Sequence, residues 1–243
     1  MPRDLPDWLA QNAQSTVGEV TDLGELAARL GSIVTFDRRG DVVALENFES
    51  GFSKVASSIS GTGAAVDLSF TSPRSGIFSC RLRGGSTGTG LASVTMRRPT
   101  PSLSLWGFEF SFVLPNVADR ITWTINRFDG STLHQFAVEW DDLNNRIEYL
   151  NAAGGFTVLA SDIELTVDSA LYHTGKLVVN PANDQYVRFV LNETTYSMAG
   201  IAAFSQASTV PALVEAVAQV NSRGGQNNTI YADDLIYTHN EPA

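Results

Sequence analysis

The 243-residue sequence contains a single cysteine, Cys80, which excludes an internal disulfide framework and a zinc site built from cysteines. No apolar run approaches the ~18–20 residues of a transmembrane helix, so we expect no membrane-spanning segment. The three histidines, His134, His173 and His239, lack the i, i+2 or i, i+4 spacing typical of metal ligands. The first residues, MPRDLPDWLAQ, lack the apolar stretch of a secretory signal, and we expect none there.

Positive charge is scarce, with 16 Lys and Arg against 26 Asp and Glu, and a net charge of −10. This balance argues against nucleic acid and anionic membranes as partners, because the net field repels phosphate. One stretch, residues 71–108, contains no acid but five arginines. It predicts either a positive strip for an acidic partner or solvated arginines on outward strand faces, and we favour the second. The five are Arg74, Arg81, Arg83, Arg97 and Arg98.

Residues 1–44 predict an N-terminal arm. Apolar residues at helical spacing over about residues 20–30 predict one short amphipathic helix, with Asp22 and Glu25 spaced as a capping box and Gly31 at its end. Such a short helix is marginal alone, so its apolar stripe should rest on the main domain or on a partner subunit. Ile33–Phe36 and Asp41–Leu45 fit a small hairpin.

From about residue 45 apolar residues recur at every second position, which is the period of a strand with one buried and one solvated face. With 43% hydrophobic residues, the pattern predicts an all-β, two-sheet antiparallel sandwich over residues 45–243. The segment 210–220 fits a helix beginning at Pro211 or a strand, and we favour the strand. The clearest runs are Phe78–Leu82, Trp106–Leu114, Ile121–Ile125, Phe136–Trp140, Val187–Leu191 and Ile230–Tyr237.

Two local patterns suggest catalysis. Gly84–Gly88 matches the G-x-S-x-G motif of serine hydrolases, but a strand, not a helix, should follow it, so we interpret it as a glycine-rich loop. Glu139 and Asp141 share the polar face of one strand, as the carboxylates of a glycoside hydrolase do. Leu143 occupies the next predicted position on that face, where a second Glu would be wanted, which disfavours hydrolysis.

The two ends of the sandwich carry a family resemblance. The opening NFESG (47–51) and the closing IYADDLIY (230–237) resemble the first and last strands of concanavalin A-like and carbohydrate-binding-module jelly rolls. The segment YHTGKLVVNPANDQYVRFVLNETTYSMAGI (172–201) is similar to the central strand–turn–strand of such domains. Residues before 45 resemble the leader of tailed-bacteriophage virion proteins that carry such a domain. The resemblance implies a jelly-roll sandwich with an N-terminal arm.

In those modules an acid on the first strand and one on the last share a structural calcium. Carried over by position, the resemblance implies Glu49 and Asp233 as calcium ligands, with Asp234 as the alternate. Hard Ca²⁺ takes several oxygen ligands, so carboxylates from the two chain ends suit it. No other cofactor and no catalytic residue is assigned.

The resemblance implies a non-enzymatic structural protein of a bacteriophage virion, either a capsid decoration or a tail-associated protein. Its arm would anchor the sandwich to neighbouring virion subunits, and we expect a homo-oligomer. A glycan- or receptor-binding module is the alternative, and a glycoside hydrolase is a less favoured one. The aromatic residues fall in phase with buried faces, so we assign no exposed platform for sugar stacking.

Overall fold

The alternating segments form sixteen β-strands in the computed structural model, which describes residues 40–224 and 226–242. Those residues include no helix. The predicted helix at 20–30 and the first half of the predicted hairpin, Ile33–Phe36, lie outside them. The strands are β1 (Asp41–Glu46), β2 (Ala56–Ser60), β3 (Ala65–Ser69), β4 (Ser79–Arg83), β5 (Leu91–Arg98), β6 (Trp106–Leu114), β7 (Arg120–Phe128), β8 (Thr132–Asp141), β9 (Arg146–Leu150), β10 (Phe156–Ser161), β11 (Asp168–Asn180), β12 (Gln185–Leu191), β13 (Thr194–Ser197), β14 (Phe204–Ala207), β15 (Leu213–Asn221) and β16 (Thr229–His239).

These strands make two antiparallel sheets, and the predicted sandwich is confirmed. Sheet A has the order β13-β12-β11-β6-β16-β4-β3, and β1 also pairs with β16. Sheet B has the order β10-β9-β8-β7-β15-β5-β2, and β14 also pairs with β8. Sequential neighbours such as β7 and β8 pair directly, whereas β15 and β16 return from the end of the chain to the middle of each sheet.

The ambiguous segment 210–220 is a strand, as we favoured. β15 lies between β7 and β5 in sheet B, with Ala218 opposite Trp123 on one side and Val94 on the other. Its even-numbered residues from Val214 to Val220 are buried, while the odd-numbered ones are partly exposed. This period of two cannot form one apolar stripe on a helix, so burial against both neighbouring strands decides the conformation.

Aromatic rings from both sheets fill the space between them. The Trp123 indole stacks on Phe110 with ring centroids 4.8 Å apart and meets Phe189 edge to face. Gly175 lies directly against this indole, because a Cβ on Gly175 would come within 2.4 Å of it. Cys80 is fully buried in the same core, and burial raises the pKa of its thiol.

One strand departs from the predicted pattern of one buried and one solvated face. Every residue of β6 is buried, including Glu109 and Ser111 on the side facing away from the core. The reason is that other polar side chains cover this outer side of sheet A. The Arg74 guanidinium donates a hydrogen bond to Ser111 Oγ, and the Glu241 carboxylate lies 2.7 Å from Lys176 Nζ.

Candidate functional site

The outward side chains of sheet B form a mostly polar surface, which we call the sheet B face. In β7 the core takes Ile121, Trp123 and Ile125, which leaves Arg120, Thr122 and Thr124 on the outside. The strand register aligns outward residues of neighbouring strands in rows. The central row, from β9 to β5, contains Glu148, Glu139, Thr122, Gln219 and Ser93.

Ion pairs connect the central row with the neighbouring row, which contains Arg120, Asp141 and Arg146. Arg120 Nε lies 3.1 Å from Glu139 Oε1. The Arg146 guanidinium lies 3.4 Å from Asp141 and 3.1 Å from Glu148. The acids are nearly inaccessible, with Glu139 only 5% exposed, whereas the side chain of Arg120 is substantially exposed. Arginine side chains therefore cover carboxylates that lie on the sheet.

Burial of Glu139 on this face alters its acidity. Burial raises the pKa of its carboxyl from 4.5 to about 7. Arg120 opposes the rise, and the negative charges of Glu148, Asp141 and Asp119 add to it. Burial also raises the pKa of the Asp142 carboxyl, in the turn that follows β8. The face thus holds a carboxyl that exchanges its proton near neutral pH.

Two uncharged buried polar atoms of the face lack a hydrogen-bond partner within the described ranges. They are Thr122 Oγ1, on a residue only 6% exposed, and Asn126 Oδ1. Both residues belong to β7 and point to the outer side of the sheet. A buried hydroxyl or amide oxygen left without a hydrogen bond costs about 1–3 kcal/mol, so these atoms favour a ligand that donates to them or accepts from them.

An exposed aromatic residue lies on the same face, although we had assigned none. Phe156 begins β10, pairs with Leu150 and is 44% exposed. Phe204, in β14, pairs with the outward Gln135 and lies against Gly154. Val158 follows Phe156 two residues later on the same side of β10, opposite Glu148. This alternation of Phe156 and Val158 was the signal in the sequence that could have identified the exposed aromatic residue. The pairing of β14 with β8 joins distant segments and was not predicted.

The arrangement predicted around the two candidate hydrolytic carboxylates matches the structure only in part. Glu139 and Asp141 do share the outward side of β8, as predicted. Leu143 does not continue that face, because β8 ends at Asp141 and Leu143 lies in the turn at 142–145. Glu148, which sequence reasoning missed, lies directly opposite Glu139 on β9.

The three acids assigned to calcium all contact a single loop, residues 74–78. They are Glu49, Asp233 and Asp234. Glu49 Oε1 accepts hydrogen bonds from the backbone N–H of Ile77 at 2.7 Å and of Phe78 at 2.8 Å. Asp233 Oδ2 accepts from the N–H of Arg74 at 2.8 Å and of Ser75 at 3.1 Å. Asp234 Oδ1 accepts from the Ser75 hydroxyl at 2.9 Å.

These contacts bear on how well the acids suit a cation. Their oxygens face N–H and O–H donors, and the Arg74 guanidinium lies 3.9 Å from Asp234 Oδ2. Burial raises the pKa of the Asp233 carboxyl to about 7, with Asp234 adding to the rise. Within residues 40–224 and 226–242, no group of three or more His, Cys, Asp or Glu is arranged to hold a metal ion. The acids accept hydrogen bonds from the loop, and calcium binding stays a prediction.

Two other sequence patterns have structural explanations. Ser86 of the G-x-S-x-G match lies in the loop between β4 and β5, and a strand follows it. The arginine-rich stretch is divided between the sheets: Arg81 pairs with Asp67 in sheet A, and Arg97 pairs with Glu215 in sheet B. In the part of the chain that the structure describes, no helix is long and apolar enough to span a bilayer.

Comparison with known proteins identifies the fold. The carbohydrate esterase of the Shiga toxin-encoding bacteriophage phi24B superposes with a TM-score of 0.50 at 11% identity, covering 84% of this chain and 100% of that one. A sialidase gives a TM-score of 0.50 at 11% identity over 83% of this chain. The fold is a concanavalin A-like jelly roll.

At these identities the likeness establishes the fold and nothing further. The chain spans only 19% of the length of the sialidase. Lectin I-B4 from Griffonia simplicifolia is less similar, with a TM-score of 0.47 at 13% identity, covering 80% of this chain and 98% of that one. No family model and no curated protein matches the sequence.

Proposed function

We propose that this jelly roll is a glycan-binding domain of a bacteriophage virion protein and that the sheet B face binds the glycan. The observation that carries the proposal is the exposed Phe156 ring at the edge of a face whose inner strands carry rows of polar side chains, with the unpartnered Thr122 Oγ1 on β7. Aromatic rings take the apolar faces of sugars, while hydroxyl, amide and guanidinium groups take their hydroxyls. The phage carbohydrate esterase with this fold supports the phage association.

Replacing Phe156 with alanine should weaken glycan binding by at least about tenfold, because stacking on the exposed ring is lost. The measurement is binding of the purified protein to a glycan array, followed by titration calorimetry on the strongest hit. Phe70→Ala is the matched control, since Phe70 is 73% exposed but lies after β3, in the other sheet. Equal binding by the wild type and Phe156→Ala would exclude this face as the site.

We take the role of the face to be binding and not catalysis. Glu139 and Glu148 lie opposite each other, but each is in an ion pair with an arginine and nearly inaccessible. A hydrolase needs one carboxylate open to the anomeric carbon and another to the leaving oxygen. Release of reducing ends from a bound polysaccharide, abolished by Glu139→Gln, would contradict this assignment.

The position in the virion is the second part of the proposal. The apolar stripe of residues 20–30 supports an arm that docks on a neighbouring capsid or tail subunit, since such a short helix is marginal alone. A chain without residues 1–31 should keep its β-sheet circular dichroism and lose association with particles in a co-sedimentation assay. Undiminished association of the truncated chain would contradict the anchoring role.

A further inference from the structure

A cavity at one end of the sandwich lies outside the face described above. It has a volume of about 350 Å³ and is lined by Asn116 and Val117 of the β6–β7 loop and by Gln226, Asn227 and Asn228 of the β15–β16 loop. Ligand pockets in proteins measure about 300–1,000 Å³, so the cavity is large enough for one sugar ring.

Hydrogen bonds within the β15–β16 loop, and from it and strand β16 to the β6–β7 loop, fix the walls of this cavity. The buried Asn228 side chain donates from Nδ2 to the Val117 carbonyl at 2.6 Å, and its Oδ1 accepts from the Arg223 N–H at 2.7 Å. Asn116 Oδ1 accepts from the Thr229 N–H at 3.2 Å. The cavity is therefore part of the folded framework, and little order has to be gained when a ligand enters.

The remaining polar groups of the lining are amides. Among residues 40–224 and 226–242, the side chains of Gln226 and Asn227 and the Asn116 Nδ2 group make no hydrogen bond. Each amide side chain both donates and accepts, which matches hydroxyl groups. Val117, 39% exposed, adds an apolar surface suited to the C–H groups of a sugar ring.

The charges beside the cavity indicate a neutral ligand. None of the five lining residues is ionisable. The nearby Arg223 guanidinium lies 3.7 Å from Asp119 and 3.9 Å from Asp142, so acids already surround it. An anionic ligand would have to compete with these two carboxylates, whereas a neutral polyol would not.

The cavity is also distant from Phe156. Its loops adjoin the ends of β7 and β15, at Arg120 and Asn221, whereas Phe156 lies on the edge strand β10. Strand β10 is three strands from β7, which corresponds to roughly 14 Å at ~4.8 Å per strand. One sugar residue cannot contact both.

We propose that this amide-lined cavity is a second binding site, which takes a single neutral, hydroxyl-rich residue of pyranose size. It does not depend on the sheet B face and would serve a terminal sugar or a side branch. The side-chain amides of Gln226 and Asn227 act together on the hydroxyls of the sugar, and Val117 contacts its ring.

Saturation-transfer NMR with methyl glycosides of glucose, galactose, mannose and N-acetylglucosamine tests the proposal on the full chain. We expect at least one glycoside to bind, and Asn227→Ala and Gln226→Ala each to weaken its binding by about tenfold. Both side chains are exposed and make no internal hydrogen bond in the described residues, so the variants should fold. Asn183→Ala is the control and should bind as the wild type does. Asn183 is an exposed amide in the β11–β12 turn and does not line the cavity.

The Phe156→Ala variant separates the two sites. If the cavity is a site of its own, this variant keeps methyl glycoside binding while its binding to the strongest glycan-array hit is weakened. Loss of glycoside binding in Phe156→Ala together with full binding in Asn227→Ala would overturn the cavity proposal and support the sheet B face. No binding of any methyl glycoside would overturn the cavity proposal, and the sheet B face would then be tested by the glycan array alone.

Discussion

Replacing Glu241 with alanine is expected to lower the free energy of unfolding by about 3–5 kcal/mol, because it removes one partner from a buried ion-pair network. The Glu241 carboxylate lies 2.7 Å from Lys176 Nζ and 3.3 Å from Arg188 Nη2. Its side chain is fully buried, and Lys176 is only 1% exposed. Thr238 donates a further hydrogen bond to it.

The same carboxylate also explains a glycine in the middle of sheet A. Gly107 lies beneath it and the Thr238 hydroxyl, since a Cβ there would come within 2.4 Å of Thr238 Oγ1 and 2.7 Å of Glu241 Oε1. The network therefore contributes both charge neutralisation and close packing on the outer side of β6. Removing the carboxylate leaves two buried cations with less compensation and opens a space above Gly107.

Urea unfolding at pH 7 measures the effect. Glu193→Ala is the control, because Glu193 is an exposed acid in the turn between β12 and β13, and its loss should change stability by less than about 0.5 kcal/mol. Glu241→Gln should fall between the two, since an amide retains the hydrogen bond from Thr238 but not the charge. A Glu241→Ala variant as stable as Glu193→Ala would show that the network adds nothing to stability.

The strands and their faces were predictable because strand periodicity is local. Alternation in residues 121–125 and 136–140 identified which side chains enter the core, and it also placed Glu139 and Asp141 on one outward face. The same alternation correctly favoured a strand over a helix for the segment that forms β15. Each of these inferences needs only the residues of one strand.

The composition of the candidate sites depends on contacts between distant segments, which periodicity does not specify. Glu148 comes opposite Glu139 only through the register of β8 and β9, and Phe204 reaches the face because β14 pairs with β8. The outer side of β6 was expected to be solvated, yet Arg74 and Glu241, which are far away in sequence, cover it. Such coverage leaves no trace in the alternation of β6 itself.

The stability of the domain should decrease as the pH rises from 5 to 8, by about 2–3 kcal/mol through Glu139. Burial beside Glu148 and Asp141 raises the pKa of the Glu139 carboxyl from 4.5 to about 7 in the folded protein, despite the opposing charge of Arg120. Between these two values the folded protein retains a proton that the unfolded chain has lost. Stability therefore falls as the pH rises through this window.

Outside that window this residue adds no pH dependence. Below pH 4.5 the carboxyl is protonated in both states, and well above pH 7 it is ionised in both, with the full cost of its burial. A rise in pKa from 4.5 to about 7 corresponds to about 3 kcal/mol. The decrease should be steepest between pH 5 and 7 and should level off near pH 8.

The variant Glu139→Gln isolates this contribution, because an amide at the same position does not titrate. Other acids with a raised pKa, such as Asp233 in sheet A, contribute to the pH dependence of both proteins and cancel in the difference. Urea unfolding of both proteins at pH 5, 6, 7 and 8 should show the wild type losing about 2–3 kcal/mol relative to the variant across the series. A difference that stays constant from pH 5 to 8 would mean that Glu139 titrates at its ordinary pKa, and the sheet B face would then carry an ionised carboxylate throughout this range.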